Sequence, residues 1–341
     1  MSAGSLARRA LGVAAGLFLF ILALETIKRA AGSLAPLMRG LAVDGPGPAL
    51  GFGWLMACVV LSGSPVAATA LALLASGVLR PDETFGMIGG SRLGASFVVL
   101  VAGALDDLRS RRREKRSAYV GVAALLTTAV VYVPALGLGA LALEHGVWSG
   151  LRIEGRRLES VVGAIFGPAV SALTGLLPPL LLFVAGFRLF DAVLPDMRAR
   201  ESPVTLAARV VYRPWFMFLV GLAVTAVTLS VSVSLSLLVP LTAKGHVRRE
   251  NVVPYIMGAN VSTFDDTLFA AALVGHPEAV RLVALLMGSV ALLSLPILMF
   301  FPYAFERAID RVAVRATASG RALLAFTALV VVIPALLILF T

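Results

Sequence analysis

The chain has 341 residues, of which 59% are hydrophobic and only 14% charged, and its mean hydropathy is +0.94. That balance excludes an ordinary water-soluble domain and predicts a polytopic membrane protein, because lipid requires the long apolar runs that water does not tolerate. The formal charge of +10 does not point to nucleic acid, since the basic residues fall between the apolar runs: Arg109, Arg111, Arg112, Arg113, Lys115 and Arg116 form one cluster, and Arg307, Arg311, Arg315 and Arg321 another, the placement that keeps loops on the cytoplasmic side.

In chain order the apolar stretches are 11–31, 50–79, 85–105, 118–143, 161–187, 214–243, 253–274, 279–301 and 321–340. The first is read as a retained helix, because it ends in Glu25, Lys28 and Arg29 with no small-residue cleavage site. The single cysteine, Cys58, lies inside the second, which excludes disulfides and cysteine metal sites. Nine crossings fail a charge test. With the N-terminus inside, three crossings before residue 106 would put the cluster at 109–116 outside. The stretch 50–79 is the one to remove, because its middle reads LSGSPVAAT and Ser62, Gly63, Ser64 and Pro65 interrupt a helix. It is expected to dip in and return to the same face, a path tolerated where backbone lines a cavity or is buried in protein. The stretch 214–243 is expected to do the same. The loop 188–213 and the arginines of 307–321 then lie inside, while Arg152, Arg156 and Arg157 lie outside against the rule.

An internal repeat supports this path. At an offset of 168 residues, Leu61, Ser62, Ser64, Ala75, Gly77, Arg80, Ile88 and Gly90 coincide with Leu229, Ser230, Ser232, Ala243, Gly245, Arg248, Ile256 and Gly258. On the topology above the first unit begins outside and the second inside. Inverted repeats with discontinuous segments meeting near the midplane are the arrangement of secondary transporters. The expected fold class is therefore an all-α polytopic membrane protein with two inverted-topology repeats, re-entrant hairpins and broken helices.

Each unit carries two polar breaks. The first holds Ser62 and Ser64, matched by Ser230, Ser232, Ser234 and Ser236, whose alternate spacing would line one side of an extended segment. The second is GGSRLGASF from Gly89 and GANVSTFDD from Gly258, where a glycine and short polar residues could end one half-helix and start another. Arg92 holds the position that Asn260 holds in the second unit; Ser262 and Thr263 follow Asn260. Substrate-binding candidates are Ser62, Ser64, Arg92, Ser230, Ser232, Asn260, Ser262 and Thr263. Asp265 and Asp266, inside an apolar run, are candidates for a coupling ion or proton, or for neutralising Arg92, because an aspartate within a bilayer costs about 2.5–3.5 kcal/mol. Arg92 and Asp265 are expected to approach each other across the pseudo-symmetry axis. Asp106 and Asp107 read as a solvated helix end. A run of the form GxxxxGK[ST] is absent, as is HExxH among His145, His246 and His276, so neither ATP-driven pumping nor a metalloprotease is expected.

The segment GANVSTF at 258–264 resembles the glycine-alanine-asparagine, aliphatic, glycine, threonine, threonine signature of the sodium/phosphate cotransporter family. LSGSPVAAT, followed by Gly77 and the break at Gly90, resembles that family's glutamine-plus-serines segment and the helix after it. The resemblance covers about 50–105 and 214–290. It implies that each half contributes a re-entrant hairpin and a broken helix, with sodium and phosphate bound where they meet. By residue it supports Ser62, Ser64, Asn260 and Thr263, and Ser230 and Ser232 through the repeat. Leu61 stands where the family has glutamine, Gly63 replaces a serine, Arg92 the asparagine, Ser262 a glycine and Phe264 the last threonine.

The expected organisation is an N-terminal transmembrane helix and loop (1–49), a first transport repeat (50–105), a basic loop with connecting helices (106–213), a second repeat (214–274) and C-terminal transmembrane helices (275–341). The expected function is secondary transport of a small inorganic anion, phosphate first, coupled to sodium or protons, in the cell membrane. The alternatives are transport of another solute or a cation, and a non-transporting structural or regulatory subunit. No enzymatic activity, metal or cofactor is expected beyond sodium as coupling ion. The partners expected are the anion, the lipid bilayer and a second copy of the chain in a homodimer, with no nucleic acid.

Overall fold

The computed structural model describes residues 44–110, 116–150, 213–243 and 247–340, together with Phe18, Ile21, Leu22 and Ala164. The expected helices at 11–31 and 161–187, most of the loop at 188–213 and Arg152, Arg156 and Arg157 lie outside the described residues. Every described element is an α-helix: α1 (Pro46–Val60), α2 (Ser64–Ala75), α3 (Pro81–Ala95), α4 (Phe97–Ser110), α5 (Arg116–Glu144), α6 (Pro214–Thr228), α7 (Val231–Ala243), α8 (Arg249–Ser262), α9 (Asp265–Val274), α10 (Ala279–Phe300), α11 (Pro302–Thr317) and α12 (Gly320–Phe340).

Proline punctuates these helices from their first turns. Pro46, Pro65, Pro81, Pro214 and Pro302 each occupy one of the first two positions of a helix, where the missing donor costs nothing and the fixed φ suits the helix. Pro65 therefore lies in the first turn of α2, which Ser64 opens, and the break in the stretch 50–79 falls just before Ser64, at 61–63. Leu61 there is left-handed, with φ 58°. Leu229, 168 positions on, ends α6 in the same conformation at φ 49°. A leucine in that region costs about 1–2 kcal/mol, and the position is normally given to glycine. Both hairpins thus turn at the same strained residue type.

The offset extends to whole elements. Pro46 and Pro214 start α1 and α6, and Val60 and Thr228 end them. Helices α3 and α8 likewise start at Pro81 and Arg249. In each unit the first and third helices pack most extensively on each other, through glycines that a Cβ would drive into a facing carbonyl. Gly53 meets Met87 O and Gly90 meets Leu50 O; at the equivalent positions Gly221 meets Tyr255 O and Gly258 meets Phe218 O. Small residues at such seams let two backbones approach, which is how helices associate in lipid.

Those seams also give the direction of the chain. Gly86, Gly90 and Gly94 of α3 meet Pro46, Leu50 and Trp54 of α1 in that order, so α1 and α3 run parallel and α2 brings the chain back between them. The return is complete: Arg80 Nη1 lies 3.6 Å from Asp44 Oδ1, and the buried Glu83 carboxylate accepts from the amides of Gly45 and Arg80 at 3.1 and 2.8 Å. The tip of the hairpin reaches only the middle of α3, where Gly63 faces Ser91 O.

Among the described residues, four helices are long and apolar enough to cross a membrane: Pro81–Leu105, Ser117–Glu144, Ala279–Phe300 and Gly320–Phe340. The expected crossings at 85–105, 118–143, 279–301 and 321–340 coincide with them. The stretch 253–274 does not form one uninterrupted crossing. Its backbone breaks at Thr263 and Phe264, leaving α8 and α9 with 14 and 10 residues, each shorter than the hydrocarbon requires. The break in the first unit is a single turn residue, Ser96, 168 positions before Phe264. Both breaks lie at the C-terminal end of the glycine-led motifs, not at the glycines, because Gly89, Gly90 and Gly258 are spent on helix packing.

Helix α5 is the central pillar and touches α3, α4, α7, α8, α10 and α11. Asp107 caps it, accepting from the amides of Ser117 and Ala118 at 3.1 and 2.9 Å, so this carboxylate is a buried cap and not a solvated helix end. The two units touch reciprocally. Helix α2 packs on α9, and its counterpart α7 packs on α4, the counterpart of α9.

Substituting Gly90 or Gly258 by valine should lower unfolding stability in detergent by about 1–3 kcal/mol or more, the cost of overpacking a closed seam. Gly137→Ala, where an added Cβ meets nothing within 4 Å, should leave the thermal unfolding curve in place.

Candidate functional site

The polar cluster is built around Arg92. This residue is near the centre of the 25-residue apolar span Pro81–Leu105 and is 2% exposed. A cation at that depth persists only with partners. Arg92 Nη1 donates to Ser64 Oγ at 3.3 Å and to Thr263 Oγ1 at 3.1 Å. Its Nη2 forms an ion pair with Asp266 Oδ1 at 3.2 Å and donates to Thr267 Oγ1. The guanidinium carbon lies 5.3 Å from the centroid of the Phe264 ring, a cation–π contact. Four of the five N–H donors of Arg92 are therefore taken by the protein. Its Nε–H and the Asp266 Oδ2 are buried without a hydrogen-bond partner.

These partners come from both units. Ser64 opens α2 in the first; Thr263 and Phe264 form the break before α9; Asp266 and Thr267 stand in the first turn of α9. Carboxylates suit that position because the helix N-terminus carries partial positive charge. The half-helix end expected to offer amides to an anion is thus next to the chain's own acids.

Asn260, the counterpart of Arg92, sits in a neutral network on the pillar helix. Its Nδ2 donates to Thr128 Oγ1 at 3.0 Å, Thr128 lies 3.3 Å from Ser96 Oγ, and Tyr132 Oη donates to Asn260 O at 2.7 Å. The Tyr132 ring stacks on Phe264 with centroids 6.0 Å apart, which joins this network to the Arg92 cluster.

The remaining candidates separate into three groups. Asp265 does not approach Arg92: it is half-buried and accepts from Ser262 Oγ at 2.6 Å. The arginine's acid is its neighbour Asp266, because adjacent residues on a helix point about 100° apart. Ser230 caps α7, accepting from Val233 N at 3.3 Å. Ser232 and Ser62 are half-buried. The expected extended segment over 228–236 is instead helical from Val231, so the serines spread around α7. Only Ser234 turns fully inward, where it meets Tyr255 Oη at 2.9 Å and accepts from Thr225 at 2.7 Å.

Residues 182–336 match the family described as Na+/Pi-cotransporter. Over these residues the chain is similar to that family. The match takes in α6 to α11, most of α12 and the GANVSTF segment, and leaves the first unit outside. Among curated proteins and among solved structures, nothing matches the chain.

Ser96, Thr128, Tyr132 and Thr267 were not singled out in the sequence. Two adjacent threonines in LLTTAVVY were the available signal for α5, but hydroxyls on an apolar helix are as often bonded to their own backbone. Removing the Thr128 hydroxyl with Thr128→Val should leave the Asn260 amide unpaired in the interior and cost about 1–3 kcal/mol. Ser262→Ala, beside a half-buried carboxylate that water can reach, should cost under about 1 kcal/mol by the same measure. Denaturant unfolding of the purified protein in detergent compares the two.

Proposed function

We propose that this protein is a secondary active transporter of a small inorganic anion, phosphate first, working in the cell membrane by alternating access between two inverted repeats. The observation that carries the reading is the reciprocal contact of α2 with α9 and of α7 with α4, with a buried polar cluster between the units. A two-fold axis relating the units would produce that reciprocity, and with the axis in the membrane plane one sequence gains two related conformations open to opposite faces.

In this reading 46–79 and 214–243 are re-entrant hairpins. The short lengths of α1 and α2, the hairpin tip at the middle of α3, and the return of Arg80 to Asp44 support it. The anion is held by hydroxyl and amide donors of the two tips and breaks: Ser62, Ser64, Ser230, Ser232, Asn260, Ser262 and Thr263. Arg92 supplies the positive potential that draws an anion to the midplane, with its Nε–H as the remaining free donor. Asp265, with Ser262 beside it, is the carboxylate available to a coupling sodium ion or proton. Asp266 serves chiefly to hold Arg92.

Uptake of radiolabelled phosphate into proteoliposomes under imposed sodium or proton gradients tests the assignment. Accumulation that follows one gradient and collapses with an ionophore is expected; no gradient-dependent phosphate uptake would remove the substrate. In the same vesicles, single cysteines replacing Asp44, Arg80, Trp215 and Arg248, with Cys58 replaced, report topology. The first two should label from one face and the last two from the other. Labelling of 44 and 80 from opposite faces would contradict the hairpin.

A further inference from the structure

The reading above gives Arg92 the positive potential at the anion site but leaves open whether the place its guanidinium fills could hold a diffusible cation. Without its guanidinium, the pocket around it would be lined by Ser64 Oγ, Thr263 Oγ1, Thr267 Oγ1 and the Asp266 carboxylate. Hard oxygens with one carboxylate are the donor set that suits a hard cation. The guanidinium does not exhaust this set, since Asp266 Oδ2 is buried without a partner. The repeat adds a second, independent argument. At the equivalent place in the second unit stands neutral Asn260, and there the counterpart of Asp266 is Val98. Acid and arginine occur together on one side of the axis and are both missing on the other.

We infer that Arg92 is a tethered substitute for a diffusible coupling cation. The guanidinium occupies the place that Asp266 and the three hydroxyls would otherwise offer to sodium. The anion site is therefore charged without sodium at this position, and coupling is left to Asp265 or to a proton. This rests on the transporter reading but makes a claim about cation binding that can be measured without transport.

The test uses the full chain purified in detergent, with thermal unfolding and binding of radioactive sodium followed in sodium chloride and in choline chloride. Wild type should show the same midpoint in both salts and no sodium binding that depends on Asp266. Arg92→Ala and the better-filling Arg92→Gln should unfold several degrees lower in choline and recover in sodium, with saturable sodium binding at least tenfold above wild type. Adding Asp266→Asn to either should abolish that gain. A folded Arg92 variant with no preference for sodium over choline overturns the inference. So does wild-type sodium binding that Asp266→Asn removes, which can be read even if neither arginine variant folds. Sodium gain without any phosphate uptake by wild type would sink the substrate assignment and leave this inference standing. Phosphate uptake with no sodium gain would do the reverse.

Discussion

A full positive charge near the middle of an apolar span is the constraint on which the arrangement of this protein depends. Arg92 is tolerable there only if oxygens from elsewhere converge on it, and the chain delivers them from two separate sequence regions. Ser64 is brought by the first hairpin; Thr263, Asp266 and Thr267 are brought by the break between α8 and α9. Removing one partner of such a pair leaves an uncompensated buried charge, which is why the ion pair constrains the position of one unit against the other. Phe264 and Tyr132 then couple the cluster to the pillar helix through stacking.

The backbone obeys the repeat more closely than the chemistry does. Helix starts, left-handed leucines and glycine seams recur 168 positions apart, since they serve helix packing and chain reversal, which both units need. The polar residues at equivalent places differ: arginine against asparagine, valine against aspartate, serine against phenylalanine at Ser96 and Phe264. A pair of units sharing a scaffold but holding opposite charges forms one asymmetric centre.

Much of the fold was legible because its signals are backbone signals. LSGSPVAAT predicted a break and Pro65 delimits it; the serine pairs and paired glycine-led motifs match at the same offset of 168 residues that the helix starts keep. The exact position of the second break was not legible, because a glycine that ends a helix and one that lets two helices touch look alike in sequence. Asp265 and Asp266 could not be told apart for the same kind of reason, since helix phase decides which of two neighbours meets a distant arginine. Thr128, Tyr132 and Thr267 were hidden in apolar runs where hydroxyls usually bond locally. Helix α11, with Arg307, Arg311 and Arg315 exposed and Glu306, Ile309 and Ala313 buried, showed in the sequence only as a cluster of arginines between two spans.

The claim on which the rest turns is that Arg92 and Asp266 hold the two units together as a pair. A double-mutant cycle with Arg92→Gln and Asp266→Asn, read by denaturant unfolding in detergent with choline as the only added cation, measures it. Each single change should cost about 3–5 kcal/mol, and the double change should cost less than their sum, with a coupling energy above about 1.5 kcal/mol. Additivity to within about 0.5 kcal/mol would mean that the two side chains do not depend on each other, and the account of this centre would be wrong.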